Sequence, residues 1–114
     1  MRNGESKTDL LQGSLDLLIL KSLSIEAMNG WQIARRIGRI SNEWLELKQG
    51  SLYPCLHRLE AKGWIEASWG VSENNRRAKF YDLKRSGRQQ LESEIATWKR
   101  YSAVVEALLA MGTA

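Results

Sequence analysis

Residues 50–65 read Gly-Ser-Leu-Tyr-Pro-Cys-Leu-His-Arg-Leu-Glu-Ala-Lys-Gly-Trp-Ile, and the fold is decided by how this stretch is read. Leu52, Leu56 and Leu59 recur at spacings of 4 and 3, the signature of a helix with one buried stripe. Ser51 is the expected cap, Pro54 is expected in the first turn, and Gly63 is expected to close the helix. At about 100° per residue, the face opposite the leucines carries Gly50, Pro54, His57, Arg58 and Ala61, flanked by Ser51 and Tyr53. That face is small or hydrogen-bonding and has no carboxylate at its centre. Such a surface suits the major groove of duplex DNA, where donors and acceptors line the base edges.

The flanking segments supply a frame for this helix. Upstream, Asn29 is an expected cap for a helix whose apolar positions are Ile33, Ile37 and Ile40, with Arg35, Arg36 and Arg39 on its other side. Trp44–Leu47 alternates over a few residues and is expected to form a very short strand. Earlier still, Leu10–Ile25 is apolar nearly all round, broken by Asp16, and is expected to be a helix buried on more than one side. Downstream, Trp64–Trp69 and Ala78–Leu83 alternate on either side of the polar run Gly70–Arg77, which predicts a hairpin with an eight-residue tip. A helix from about Ser86 to Met111 follows.

The predicted order is therefore helix, helix, short strand, helix, hairpin, long helix. That is a mainly α fold with a small β-hairpin: a winged helix–turn–helix over residues 9–84, preceded by a flexible segment 1–8 and followed by a C-terminal dimerisation helix over 85–114. In the last helix Leu91, Ile95, Trp98, Ser102, Val105 and Leu109 are spaced 4, 3, 4, 3 and 4, a heptad seam. A helix of that length, ~38 Å at 1.5 Å per residue, outruns the core of so small a domain, so Val104, Leu108 and Met111 at its far end are expected to need a second molecule. A homodimer interface is expected along this seam and along Leu11, Leu15 and Leu18 of the first helix.

Charge points the same way. The chain of 114 residues carries 17 Lys and Arg against 13 Asp and Glu, a net charge of +4. Residues 1–47 hold six basic and six acidic residues, 48–88 hold nine and four, and 89–114 hold two and three, so the excess lies in the middle segment. Expected DNA contacts are Lys48, Gln49, Ser51, Tyr53, Pro54, His57 and Arg58 from the helix, and Asn74, Asn75, Arg76, Arg77 and Lys79 from the hairpin. Arg58 is the expected guanine reader, His57 a weaker one, and Tyr53 a phosphate contact. The basic hairpin tip is expected at the minor groove or its phosphates.

The same residues argue against catalysis. The lone histidine and lone cysteine, at 57 and 55, do not face each other on a helix. No metal-ligand spacing or phosphate-cradling glycine loop occurs, so no enzyme, metal or cofactor is expected. Cys55 excludes an intrachain disulfide and is expected as a partly buried thiol in a reducing cytoplasm. Neither a leader nor a membrane span is expected.

Gly50–Glu60 with Gly63-Trp-Ile65 resembles the recognition-helix signature of the PadR family of transcriptional regulators, and Arg76–Leu83 with Gly87 resembles that family's wing. Leu10–Ile19 and Asn29-Gly30-Trp31 are similar to its first two helices. The resemblance implies a winged-helix dimer joined through the first and last helices, usually a repressor, with Tyr53 and the basic wing on DNA. Its short form has a single C-terminal helix. Some short members bind flat aromatic drugs between tryptophans of the two last helices, and Trp98 stands at a matching place, so a small aromatic effector is a second reading beside packing of the dimer seam. Cys55, Phe80 and Trp31 depart from the residues common in the family. A winged-helix protein–protein adaptor without DNA binding is the alternative function, and it calls for an acidic or apolar helix face and a wing without cations.

Overall fold

Asn29 serves two elements at once, and the architecture follows from it. The computed structural model describes residues 3–112, with the side chains of Leu11 and of residues 13–112. Helix α1 (Asn3–Ile25) is followed by a two-residue strand β1 (Met28–Asn29), helices α2 (Gly30–Ile40) and α3 (Gln49–Ala61), strands β2 (Ile65–Val71) and β3 (Arg77–Leu83), and the long helix α4 (Arg85–Leu109). Asn29 pairs with Phe80 in the sheet and also caps α2. Its Oδ1 accepts from the Gln32 amide at 2.9 Å while the Gln32 Oε1 accepts from the Asn29 amide at 2.9 Å, a reciprocal capping box.

The sheet is antiparallel in the order β1–β3–β2. Ile65, Ala67, Trp69 and Val71 share a face with Leu83, Tyr81, Lys79 and Arg77, their register partners. At the base that face is buried through Ile65, Tyr81 and Leu83, and toward the tip it runs out into solvent. The strands close through Ser72–Arg76, with the Ser72 amide donating to the Arg76 carbonyl and Asn75 at φ 58° in the left-handed region. The tip is thus shorter than the eight residues expected.

The core collects Leu11, Leu15, Ile19, Leu20 and Leu23 of α1, Ile33 and Ile37 of α2, and Leu52, Cys55, Leu56 and Leu59 of α3. Burying each large aliphatic side chain favours folding by ~1.5–3 kcal/mol. Ser22 lies among them, its hydroxyl donating to the Leu18 carbonyl at 2.8 Å. Helix α3 closes with Gly63 at φ 77°, the Gly63 amide on the Glu60 carbonyl and the Trp64 amide on the Leu59 carbonyl, a Schellman end.

Several local expectations are corrected. Trp44 and Leu45 form a bend and Glu46 and Leu47 are irregular, not a strand: the Trp44 amide donates to the Ser41 carbonyl and the Leu45 amide to the Ser41 hydroxyl, so the segment folds back on the end of α2 and joins no sheet strand. Lys48, not Ser51, is the N-cap of α3, its carbonyl accepting from the Ser51 and Leu52 amides. Pro54 therefore falls beyond the first turn, where it has no amide hydrogen for the Gly50 carbonyl four residues earlier. Ile40 is 77 % exposed at the end of α2, one residue before the chain turns away. The first helix begins at Asn3, before the Leu10 read from the apolar pattern. The Leu10 side chain, Met1 and Arg2 of the 1–8 segment, and Thr113 and Ala114 lie outside the described residues.

Helix α4 starts on the core and leaves it. Gly87 and Leu91 are buried, Ile95 packs at the edge of the core, and beyond Trp98 most positions are exposed. The molecule is accordingly elongated, 60 × 31 × 20 Å.

Candidate nucleic-acid interface

Helix α3 presents two flanks around its outward face. On one, Tyr53 turns toward the start of α2, its ring against Gly30. Tyr53, 39 % exposed, shares with the hairpin a cleft of about 380 Å³ whose walls include Asn29, Trp69, Arg76, Arg77 and Lys79. Between the flanks, Lys48, Gln49, Gly50, Pro54 and His57 are exposed, and Ser51 is half-buried.

The opposite flank faces α1. The Arg58 guanidinium donates to Asp16 Oδ1 at 2.5 Å and to Cys55 Sγ at 3.3 Å. Arg58 is therefore not directed straight out from the helix, as the wheel alone predicted. The Cys55 thiol donates to the same Asp16 oxygen at 3.2 Å. Burial, then the hydrogen bond and charge of Asp16, push Cys55 up to about 12, so it is a neutral thiol at neutral pH. Cys55 is buried and His57 exposed, so the two form no reactive pair.

The hairpin cations are individually placed. The Arg77 guanidinium lies 4.3 Å from the Trp69 ring centroid, a cation–π stack on an exposed indole. Lys79 Nζ is 3.6 Å from Glu60 of α3 and 5.7 Å from the Tyr81 ring. Asn74, Asn75 and Arg76 are exposed at the tip. Sequence reasoning missed Trp69 as a partner of the cations, although alternation puts it on their face of the hairpin. It also missed Trp31, which lines the same cleft and carries Arg35 over its ring at 5.1 Å.

The nine expected subunit contacts fall into three groups. Leu11, Leu15 and Leu91 are buried in the core of the single chain, so little of them is left for a partner. Leu18, Ile95, Ser102 and Val105 are half-buried, and Trp98 and Leu109 are exposed. The open apolar surface of α4 also includes Tyr101, Val104 and Leu108, continued by Met111 just past its end, a stripe beside the one counted from the heptad. Trp98, 45 % exposed, stands 6.5 Å from Tyr101 between ring centroids, and both line an apolar groove of about 330 Å³ with Gly13, Leu17 and Thr97. Among the described residues no group of three or more His, Cys, Asp or Glu could hold a metal ion, and no helix is long and apolar enough to cross a membrane.

Comparison with known proteins agrees with this architecture. Residues 19–93 match the transcriptional regulator PadR-like family. The fold is similar to a PadR-like transcriptional regulator of Bacillus cereus, with 27% identity, a TM-score of 0.80, and 91% of this chain and 99% of that one covered. It is similar also to a transcriptional regulator of Clostridium thermocellum, with 25% identity, a TM-score of 0.79, and 87% and 96% covered. An uncharacterised protein of Lysinibacillus sphaericus is 26% identical over 100 residues, 88% of this chain and 92% of that one.

Proposed function

The chain belongs to the PadR-like family of transcriptional regulators, and from that premise we propose that it is a cytoplasmic repressor, without catalysis, that binds a pseudo-palindromic operator in duplex DNA as a homodimer. The observation that carries the reading is the meeting of α3 and the hairpin at one cleft, where Tyr53, Arg76, Arg77 and Lys79 converge. Helix α3 enters the major groove. His57 faces base edges, Ser51 and Pro54 allow close approach, and Lys48, Gln49 and Tyr53 take phosphates. Asn74, Asn75, Arg76 and Arg77 follow the adjacent phosphates or the minor groove, and Lys79 joins them on leaving Glu60. The adaptor alternative has no comparable support, because the helix face is neither acidic nor apolar and the wing carries cations.

The exposed apolar stripe of α4 supports the dimer, since contiguous apolar surface of this kind marks a protein contact. Pairing through α4 carries two recognition helices, which must fall about 34–36 Å apart to meet successive turns of one DNA face. We assign Trp98 to that subunit contact; a flat aromatic effector in the neighbouring groove is the secondary assignment.

Selection of bound sequences from a random duplex pool tests this directly. A palindromic motif with half-sites one turn apart is expected. Affinity is expected to fall by ~10³–10⁵ between 50 and 200 mM salt, as 6–10 phosphate contacts require. No enrichment, or affinity indifferent to salt, contradicts the proposal.

A further inference from the structure

Asp16 is an acid in a segment that is otherwise Leu15, Leu17, Leu18, Ile19 and Leu20, and nothing in the core explains it. Among the described residues its engagement is long-range. Its Oδ1 accepts from Arg58 at 2.5 Å and from Cys55 at 3.2 Å, tying α1 to the recognition helix across 42 positions of sequence. The Asp16 side chain is 26 % exposed and that of Arg58 49 %, so the pair sits at the rim of the helix and not deep in the core. Arg58 occupies the α3 flank away from Tyr53, where an extended guanidinium reaches past the helix toward whatever the outward face meets.

Resting on the DNA-binding reading, we propose that Asp16 is a specificity-determining residue that acts through Arg58: it withholds the guanidinium from DNA phosphates and yields it only to base edges. A free arginine beside a recognition helix binds phosphate on any duplex, and that attraction carries no sequence information. Leaving Asp16 for a phosphate merely exchanges one anion for another. It also strands a partly buried carboxylate near the polyanion. Guanine is different, because O6 and N7 accept two guanidinium N–H groups in one plane, a contact that discriminates about tenfold or more. The carboxylate therefore suppresses random binding more than it suppresses operator binding. Asp16 touches no DNA itself and is a positioning residue.

The test measures affinity and salt dependence for the full-length wild type, Asp16→Asn, Arg58→Ala and the double variant, on a duplex of random sequence and on the selected operator. Asparagine keeps the Oδ1 acceptor for Cys55 and removes the charge. Asp16→Asn is expected to bind random duplex about fivefold or more tightly at low salt, with a log–log salt slope steeper by ~0.9 per subunit. Its operator-to-random ratio is expected to fall. Arg58→Ala alone is expected to leave random-duplex affinity within about twofold of wild type, and the double variant to match it. A gain that persists in the double variant overturns the proposal, since loss of the Asp16 charge alone then explains it. A loss of more than about fivefold on random duplex in Arg58→Ala also overturns it, and this arm decides even where Asp16→Asn fails to fold. Wild-type protein that binds no duplex refutes the DNA-binding reading itself, a result distinct from either failure.

Discussion

The Tyr53 hydroxyl occupies the space in which a side chain at Gly30 would begin: a Cβ there meets Oη at 2.9 Å and the ring carbons Cε1 and Cζ at 3.2 Å. A methyl group at residue 30 must therefore move the phenol, which is the free end of a side chain and can swing away. Gly30→Ala is expected to fold with stability within about 1 kcal/mol of wild type, since alanine also favours the helix start. It is expected to weaken DNA binding several-fold. Tyr53→Ala added to it should cost nothing more, as fluorescence anisotropy on an operator duplex will show.

Gly87 has no such latitude. A Cβ there lies 2.0 Å from the Trp64 carbonyl oxygen and 2.7 Å from Leu83 Cδ1, and the carbonyl is fixed by the Lys84 amide at 3.0 Å. Gly87→Ala must lift the first turn of α4 from the base of the hairpin. Overpacking of this kind costs ~1–3 kcal/mol or more. Urea unfolding should register that loss, and an unchanged midpoint would refute the packing described.

Trp69 holds Arg77 in one direction by stacking. Arg77→Ala is expected to weaken binding to all duplex sequences alike and to lower the salt slope by ~0.9 per subunit. Trp69→Ala is expected to reproduce part of the weakening, and the double variant to add little to Arg77→Ala. Additive losses would mean that the indole acts on its own account.

The open stripe of α4 offers a clean test of assembly. Leu108 is 64 % exposed in the single chain, so Leu108→Glu removes little packing within it. The variant is expected to keep its helical circular dichroism, to sediment as a monomer, and to lose operator binding at concentrations where wild type is saturated. A dimeric Leu108→Glu protein would exclude this part of α4 from the contact.

Alkaline pH should destabilise the fold. Cys55 titrates at about 12 when folded against a usual value of 9.0, and burial also raises Tyr81. Both groups bind their protons more tightly in the folded state, so their stabilisation is complete below the unfolded values and is lost as pH rises from about 9 toward 12. Cys55→Ser is expected to flatten that decline in urea titrations. In native protein at pH 8, alkylation of the thiol should be far slower than in urea.

What was legible in the sequence was local. The leucine stripe of α3, the Asn29 cap and the hairpin each rest on neighbours a few residues apart; the first two stand where spacing put them, and the hairpin does so with longer strands and a shorter tip. What escaped was decided by distant partners. Met28–Asn29 is too short to show a period, and it is a strand only because Tyr81 and Phe80 lie beside it. The alternation of Trp44–Leu47 looked like a strand, but the Trp44 and Leu45 amides are taken by Ser41 at the end of α2. The wheel set Arg58 on the outward face and could not include Asp16 of another helix, which draws the guanidinium toward α1. The heptad of α4 found the side facing α1 at its start; Val104 and Leu108 were legible only from the length of a helix that outruns its core, and Tyr101 escaped both arguments.

Because Asn29 is at once a sheet residue and the cap of α2, the hairpin cannot swing without unwinding the start of that helix. Leu52, Leu56 and Leu59 hold the third helix in the same core as Ile33 and Ile37 of α2, with Tyr53 seated against Gly30. The reading head thus has no joint. Any signal that tunes the hold of such a head on DNA must steer where the head is carried, as a tool is aimed by its handle, and leave the shape of the head alone.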